Sequence, residues 1–235
     1  MSAPRTEDRP VAVVTGATGG IGRACVADLA RDHDVLALGR DAARLAGLAA
    51  LPHVTARAAD LTDFASLPGV VADLDRVDVL VHSAAVAGRT TVEGASVDEW
   101  RAQLELNVMA PAELTRLLLP ALRAARGTVV FINSGSGFTA RAGDAVYAAS
   151  KFALRALADS LRQEVEADGV SVSSVHPGPV DTAMQRDIQA ALGNEYVPER
   201  YIRPESVAAA VRAVVDAGED AQLTTLSVRP GAEPR

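Results

Sequence analysis

Two side chains capable of acid–base chemistry stand four residues apart in Tyr147-Ala148-Ala149-Ser150-Lys151. In a helix that spacing puts both on one face. A compact ammonium stabilises a neighbouring phenolate, so Lys151 can pull the Tyr147 hydroxyl below the usual phenol value near ~10, and its donors can also bond sugar hydroxyls. The composition marks this lysine out: the basic residues are 22 arginines and one lysine, and only three tyrosines occur in 235 residues. By simple counting, a tyrosine falls four places before that lysine by chance about once in a hundred sequences. Ser134 stands thirteen residues before Tyr147, in Phe131-Ile132-Asn133-Ser134-Gly135-Ser136-Gly137 at a strand end. Ser136 is the competing hydroxyl, and neither serine lies in the G-x-S-x-G elbow of a serine hydrolase.

A second cluster lies near the amino terminus, where a short β-branched run leads into Thr15-Gly16-Ala17-Thr18-Gly19-Gly20-Ile21-Gly22 and then a helical pattern. Glycines at such a turn permit positive φ angles and close backbone approach to a pyrophosphate, while the helix amino terminus offers unpaired N–H groups and a positive dipole end. A dinucleotide's adenosine ribose would be read at the end of the second strand, where an Asp or Glu suits NAD. Here that position reads Gly39-Arg40-Asp41. Gly39 carries no carboxylate, and the planar fork of Arg40 suits a 2′-phosphate, so NADPH is favoured. The alternative is that Arg40 is a solvated charge and that Asp41 caps the next helix or serves the ribose of NADH.

Positioning these groups calls for a particular scaffold. Strand-length runs rich in β-branched residues occur at 11–15, 35–38, 54–57, 77–81, 128–132, 170–176 and 223–228. Between them apolar residues recur at helical spacing, as in Leu114, Leu117, Leu118, Ala121 and Leu122, and in Leu154, Leu157, Leu161 and Val165. Such alternation predicts one α/β domain over residues 1–235, a doubly wound Rossmann-type fold with a mostly or fully parallel seven-stranded sheet flanked by helices. Long helices are expected over 99–124 and 146–167, and residues 181–204 break the rhythm as an excursion near the site.

The T-G-x-x-x-G-I-G turn, the Y-x-x-x-K helix start and Ser134 thirteen residues upstream together resemble the short-chain dehydrogenase/reductase (SDR) family, along nearly the whole chain. The resemblance implies an oxidoreductase that interconverts a carbonyl and an alcohol by hydride transfer, for which Gly39 and Arg40 favour NADP over NAD. It implies that Ser134 holds the carbonyl oxygen, Tyr147 supplies the proton, Lys151 tunes the phenol and binds ribose, and Asn107 supports a proton relay. Asp60-Leu61 resembles the family's adenine-binding pair, and Pro177-Gly178 with Val180 and Thr182 resembles the segment bordering nicotinamide. Where the family shows N-N-A-G, this chain has His82-Ser83-Ala84-Ala85; Ser83, Ala84 and Ala85 stay small enough for a cofactor to pass, and His82 reads as a packed strand-end residue. Phe138, Met184, Ile188 and Leu192 are candidate walls of a substrate pocket suited to an apolar ketone or acyl chain.

Charge and composition exclude other classes. A net charge of -7 without a basic stripe argues against nucleic acid as a partner. The apolar runs are too short to span a membrane, and the polar start of the chain lacks a signal peptide's apolar core. A single cysteine, Cys25, forbids an internal disulfide, and no His/Cys spacing suits a metal, so a cytoplasmic enzyme without metal is expected. The apolar surface of the two long helices predicts a homodimer or homotetramer, as family members form.

Overall fold

The structure is a computed structural model that describes residues 9–218 and 220–231, so most of the polar start of the chain lies outside the described residues. Seven strands form one sheet: β1 (Val11–Thr15), β2 (Asp34–Gly39), β3 (Val54–Ala58), β4 (Val79–His82), β5 (Thr128–Ile132), β6 (Ser171–Pro177) and β7 (Thr225–Val228). All pairings are parallel, in the order β3-β2-β1-β4-β5-β6-β7. The helices are α1 (Gly20–Leu29), α2 (Ala42–Ala49), the short α3 (Leu67–Val70), α4 (Val97–Leu104), α5 (Ala110–Ala125), α6 (Ala145–Glu164), α7 (Ala183–Ala191) and α8 (Pro204–Val215).

The strand alternation of period two builds both layers. Ala12 and Val14 of β1 pack with Cys25, Val26 and Leu29 of α1 and with Val207 and Val211 of α8. Val13 points the other way, into Leu114, Leu118 and Leu122 of α5 and Leu154 and Leu161 of α6. Burial on both faces is why the strands read as continuous apolar runs. Arg212 fastens α8 to α1 through Asp28 and Asp32, each at 2.7 Å. Strand order reverses at β1, which opens a crevice at the carboxyl ends of β1 and β4, where ligands of such sheets bind. No helix among the described residues is long and apolar enough to cross a membrane.

Two helices differ from expectation for identifiable reasons. The predicted helix over 99–124 is interrupted by a π turn, Glu105–Met109. Pro111 has no N–H to return to the carbonyl of Asn107 four residues earlier, so the regular hydrogen-bond ladder fails at that point. The helix predicted over 146–167 stops at Glu164, and a 3₁₀ turn, Glu166–Asp168, leads to Gly169 at φ 71°. The excursion over 181–204 contains no strand but does contain α7, and its ends are drawn together by a bridge between Val180 and Ile202.

Gly16 is where the crevice depends on a missing side chain. Its φ is +62°, and an added Cβ would lie 2.7 Å from Cα and N of Ala84, on the neighbouring β4 segment. Gly47, in α2, has nothing within 4 Å of its Cβ position. We predict that Gly16→Ala lowers unfolding stability by about 1–3 kcal/mol, whereas Gly47→Ala is neutral or stabilising by about 0.5–1 kcal/mol, as read by urea denaturation. Equal effects at the two sites would refute the steric reading.

Candidate active site

The glycine turn lies at the crevice beside a hollow of about 380 Å³. Gly16, Thr18, Gly19, Gly20, Ile21 and Gly22 line one side of it. Ser83, Ala84 and Ala85 from the end of β4 line it too, as do Arg40 and Leu61 from beyond β2 and β3. The turn is shaped by close approaches: a Cβ on Gly22 would strike the carbonyl of Gly16, and one on Gly20 would lie 2.6 Å from Cγ2 of Thr182. Gly39 is buried, with its Cβ position 3.1 Å from Thr18, so a side chain there would press on the turn. Thr15 braces the opposite wall, its Oγ1 accepting from the N–H groups of Ser83 (3.0 Å) and Ala84 (3.2 Å).

The start of α1 at this hollow has the donor chemistry that suits a pyrophosphate. Asp41, Ser96 and Thr182 cap α2, α4 and α7 with their side chains; α1 has no side-chain cap, as α3, α5, α6 and α8 have none, but α1 is the one that starts in the glycine turn at this hollow. The first N–H groups of α1 therefore face the hollow without a side-chain acceptor, and they carry the positive end of the helix dipole.

The acid–base residues gather at the carboxyl end of β5. Ser134 follows that strand, Tyr147 and Lys151 lie in the first two turns of α6, and Lys151 is 2% exposed. The Lys151 ammonium donates to the Ile132 carbonyl at 3.1 Å and stands 5.8 Å from the centroid of the Tyr147 ring. Ser134 is the serine whose hydroxyl acts on the Tyr147 phenol; Ser136 contributes its backbone N–H to Ser134 Oγ at 3.1 Å. Burial pushes Lys151 down to about 8. The Tyr147 phenol is raised, by burial above all, with the Ser134 hydrogen bond opposing and the Asp144 charge adding to the rise. The sequence leads one to expect the ammonium to dominate and lower the phenol; in the folded chain burial is the largest influence and Lys151 is not among the groups that shift it, so the phenol is held in its proton-carrying form.

Asn107 lies in the π turn, 1% exposed, and its amide is fully engaged. Nδ2 donates to the Val86 carbonyl (2.9 Å) and to Ser150 Oγ (3.0 Å), while Oδ1 accepts from the Val86 N–H (2.9 Å). The side chain thus ties the segment after β4 to the residue before Lys151. His82 is a packed residue as read, stacked on Phe131 at 4.9 Å and bonded through Nε2 to Thr115 at 2.8 Å.

Other predicted positions are occupied in ways the sequence does not reveal. Asp60 caps its own turn, accepting from the N–H (3.0 Å) and hydroxyl (2.7 Å) of Thr62. Thr182 Oγ1 accepts from the N–H of Gln185 and donates to the Val180 carbonyl, and Gly178 N–H donates to Val228 at 2.8 Å. The structure does not bring the four candidate pocket walls together at the hollow. Met184 lines it, whereas Phe138 packs on His176 at 4.2 Å, and Ile188 and Leu192 lie on the partly exposed side of α7 and its end. Sequence reasoning missed Arg44 and Leu106, which also line the hollow. Arg44 was legible as an arginine one turn after Arg40, on the first turn of a helix. A larger hollow of about 800 Å³ opens at the amino ends of β4, β5 and β6 and contains none of the predicted residues.

Comparison with known proteins decides the family. The short chain dehydrogenase family model matches residues 10–193. The chain belongs to the short-chain dehydrogenase/reductase family. It is 31% identical to an uncharacterized short-chain type dehydrogenase/reductase of Sinorhizobium fredii, over 94% of this chain and 91% of the relative. Among solved structures, a Corynebacterium glutamicum protein assigned to the same family is 43% identical, with a TM-score of 0.73 over 94% of this chain and 100% of that chain. The alcohol dehydrogenase of Thermococcus sibiricus, solved with 5-hydroxy-NADP, is 25% identical with a TM-score of 0.85, over 96% of this chain and 99% of its own. The chain is accordingly an oxidoreductase acting on CH–OH or C=O groups with a nicotinamide dinucleotide.

The buried ammonium of this dehydrogenase/reductase has a measurable signature. Because Lys151 sits near 8 in the folded chain and an unfolded lysine near ~10.4, protonation opposes folding. The penalty is fully present below pH 8 and vanishes as pH rises through the unfolded value. Relative to Lys151→Met, wild-type stability should gain on the order of 3 kcal/mol between pH 7 and pH 11, measured by chemical denaturation. A difference that does not change with pH would contradict it.

Proposed function

We propose that this protein is an NADPH-dependent reductase that converts a ketone or aldehyde to an alcohol, a carbonyl or ketoacyl reductase by chemistry. The observation that carries the reading is the grouping of Ser134 and Tyr147 beside the only lysine of the chain, at the same sheet edge as the glycine turn before α1. Bound NADPH supplies hydride to the carbonyl carbon. Ser134 donates a hydrogen bond to the carbonyl oxygen, and Tyr147 gives that oxygen its proton as negative charge develops. A phenol raised by burial is protonated at neutral pH, the form a proton donor requires. Lys151 would bind the ribose hydroxyls and stabilise the phenolate left behind, and Asn107 holds the segments on either side while its turn supports proton resupply.

The preference for NADP rests on the end of β2. The Asp41 carboxylate is engaged by the Arg44 N–H (3.0 Å) and by Arg44 Nε (3.2 Å), so it is poorly placed to serve a ribose diol. Arg40, whose charge acts on the Asp60 carboxylate, lines the hollow with Arg44, and the two guanidinium groups would suit a 2′-phosphate. Crystallisation of the Thermococcus sibiricus relative with an NADP derivative agrees with this reading. Leu61 and Asp60 would flank the adenine, and Pro177, Gly178, Val180 and Thr182 the nicotinamide. Met184, Ile188 and Leu192 on the α7 segment, with Phe138 behind Ser134, would favour an apolar carbonyl compound. We further propose one catalytic domain, a cytoplasmic location, and a homodimer or homotetramer, for which the exposed Phe152 on α6 offers an apolar contact.

A panel of ketones, aldehydes and acyl thioesters, followed by NADPH absorbance, tests the reaction. Tyr147→Phe should lower the rate about 10²–10⁴-fold while retaining NADPH binding. Wild type and Tyr147→Phe that are alike in turnover would leave a protein that binds the dinucleotide without catalysis. For the coenzyme, Arg40→Ala should raise the KM for NADPH about 10–100-fold and leave that for NADH within a few-fold. An equal loss with both, or a wild type that prefers NADH, would refute the 2′-phosphate assignment.

A further inference from the structure

We infer that His176 is a positioning residue: its imidazole fixes the Ser134 loop to the sheet, and with it the direction of the Ser134 hydroxyl toward Tyr147. The inference rests on the reductase reading above. Its starting point is a gap in the sheet. The last ladder bond between β5 and β6 runs from the Asn133 N–H to the Val175 carbonyl at 2.7 Å, and the next donor on β6 would be the N–H that Pro177 lacks. Beyond that point Ser134 is held by other means. Its N–H goes to Asn133 Oδ1 (2.9 Å) and its carbonyl accepts from the Gly137 N–H (3.0 Å), both bonds within the same loop that would turn with it. The second lone pair of that carbonyl receives Nδ1 of His176 at 2.9 Å, from β6, which refers the loop to the sheet.

The chemistry of the ring supports a directed role. A carbonyl can only accept, so Nδ1 carries the proton, and a neutral ring then leaves Nε2 as a bare lone pair. His176 is 1% exposed, and Nε2 is buried with no hydrogen-bond partner. A buried nitrogen without a partner costs stability that leucine or phenylalanine at the same place would not incur. What the imidazole alone adds is the Nδ1–H donor. Burial lowers the ring's proton affinity; the Arg155 and Lys151 charges on α6 act in the same sense, with the Ser134 carbonyl and Asp159 opposing. Orientation is set from the far side, where Phe138 packs on the ring at 4.2 Å and the Arg155 guanidinium covers Phe138 at 4.5 Å. Phe138 is thereby engaged as a support of the serine loop.

Two substitutions separate positioning from packing. His176→Leu fills space without a donor, and His176→Asn places an amide N–H near the position of Nδ1. With NADPH and the best carbonyl substrate of the wild type, His176→Leu should lower kcat about tenfold or more, with the Kd for NADPH within about twofold, and His176→Asn should recover most of the loss. Nitrogen-15 histidine spectra of the full chain, assigned by the loss of one of four imidazoles in His176→Asn, should show the Nδ1–H tautomer. A leucine variant as fast as wild type, an asparagine variant as slow as the leucine variant, a loss confined to NADPH binding, or an Nε2–H tautomer would each overturn the positioning role. A wild type that turns over no carbonyl fails earlier, at the functional reading itself.

Discussion

One ammonium taken out of water sets the terms for the rest of this site. Lys151 is 2% exposed and answers that burial with a single backbone bond, to the carbonyl at the end of β5. Burying a charge with so little compensation is unfavourable, and burial drags its proton affinity down accordingly. The cost is tolerated because the neighbouring structure is rigid. Leu154 and Leu161, on the same helix, pack into the core with α5 and the central strands, so α6 cannot roll to return the lysine to solvent.

Around that fixed point, backbone donors stand open at the crevice. Asp41, Ser96 and Thr182 cap the starts of α2, α4 and α7, while α6 and α8 start without a side-chain cap. Helix α1, at the crevice where strand order reverses, receives a glycine, and its dipole is left for a ligand. The excursion then folds back onto the same glycine turn, with Thr182 against Gly20, so the part of the chain expected to sense substrate touches the part that fits a dinucleotide. Asp181 strengthens that return by accepting from Arg186 (2.7 Å) and Tyr196 (2.8 Å), which closes the excursion on its own side chains.

The scaffold was legible because its signal is local and repeated: seven apolar runs separated by helical spacing lie within about two residues of the strands observed. The glycine turn and the Tyr147–Lys151 pair were legible because residue type and spacing themselves carry the chemistry. What escaped depends on partners distant in sequence. Nothing near Asn107 announces that its amide will be consumed by Val86 and Ser150, although Pro111 does forecast a broken helix. Phe138 stands four residues after Ser134, yet the 3₁₀ turn between them swings it onto His176. Helix α7 carries Met184 and Ile188 four residues apart, but it has no fully buried residue, so its apolar spacing does not mark a core-facing stripe. For Tyr147 the sequence displays a neighbouring ammonium but not the desolvation that raises the phenol, which only the folded chain reveals.

A crystal structure of the protein with NADP and a bound carbonyl compound is the most direct measurement of the central claim. The account predicts one ligand oxygen within hydrogen-bonding range, about 2.6–3.2 Å, of both the Tyr147 and Ser134 hydroxyls, with the nicotinamide ring against the ligand's carbonyl carbon. A dinucleotide seated elsewhere, or a ligand oxygen held by neither hydroxyl, would contradict it.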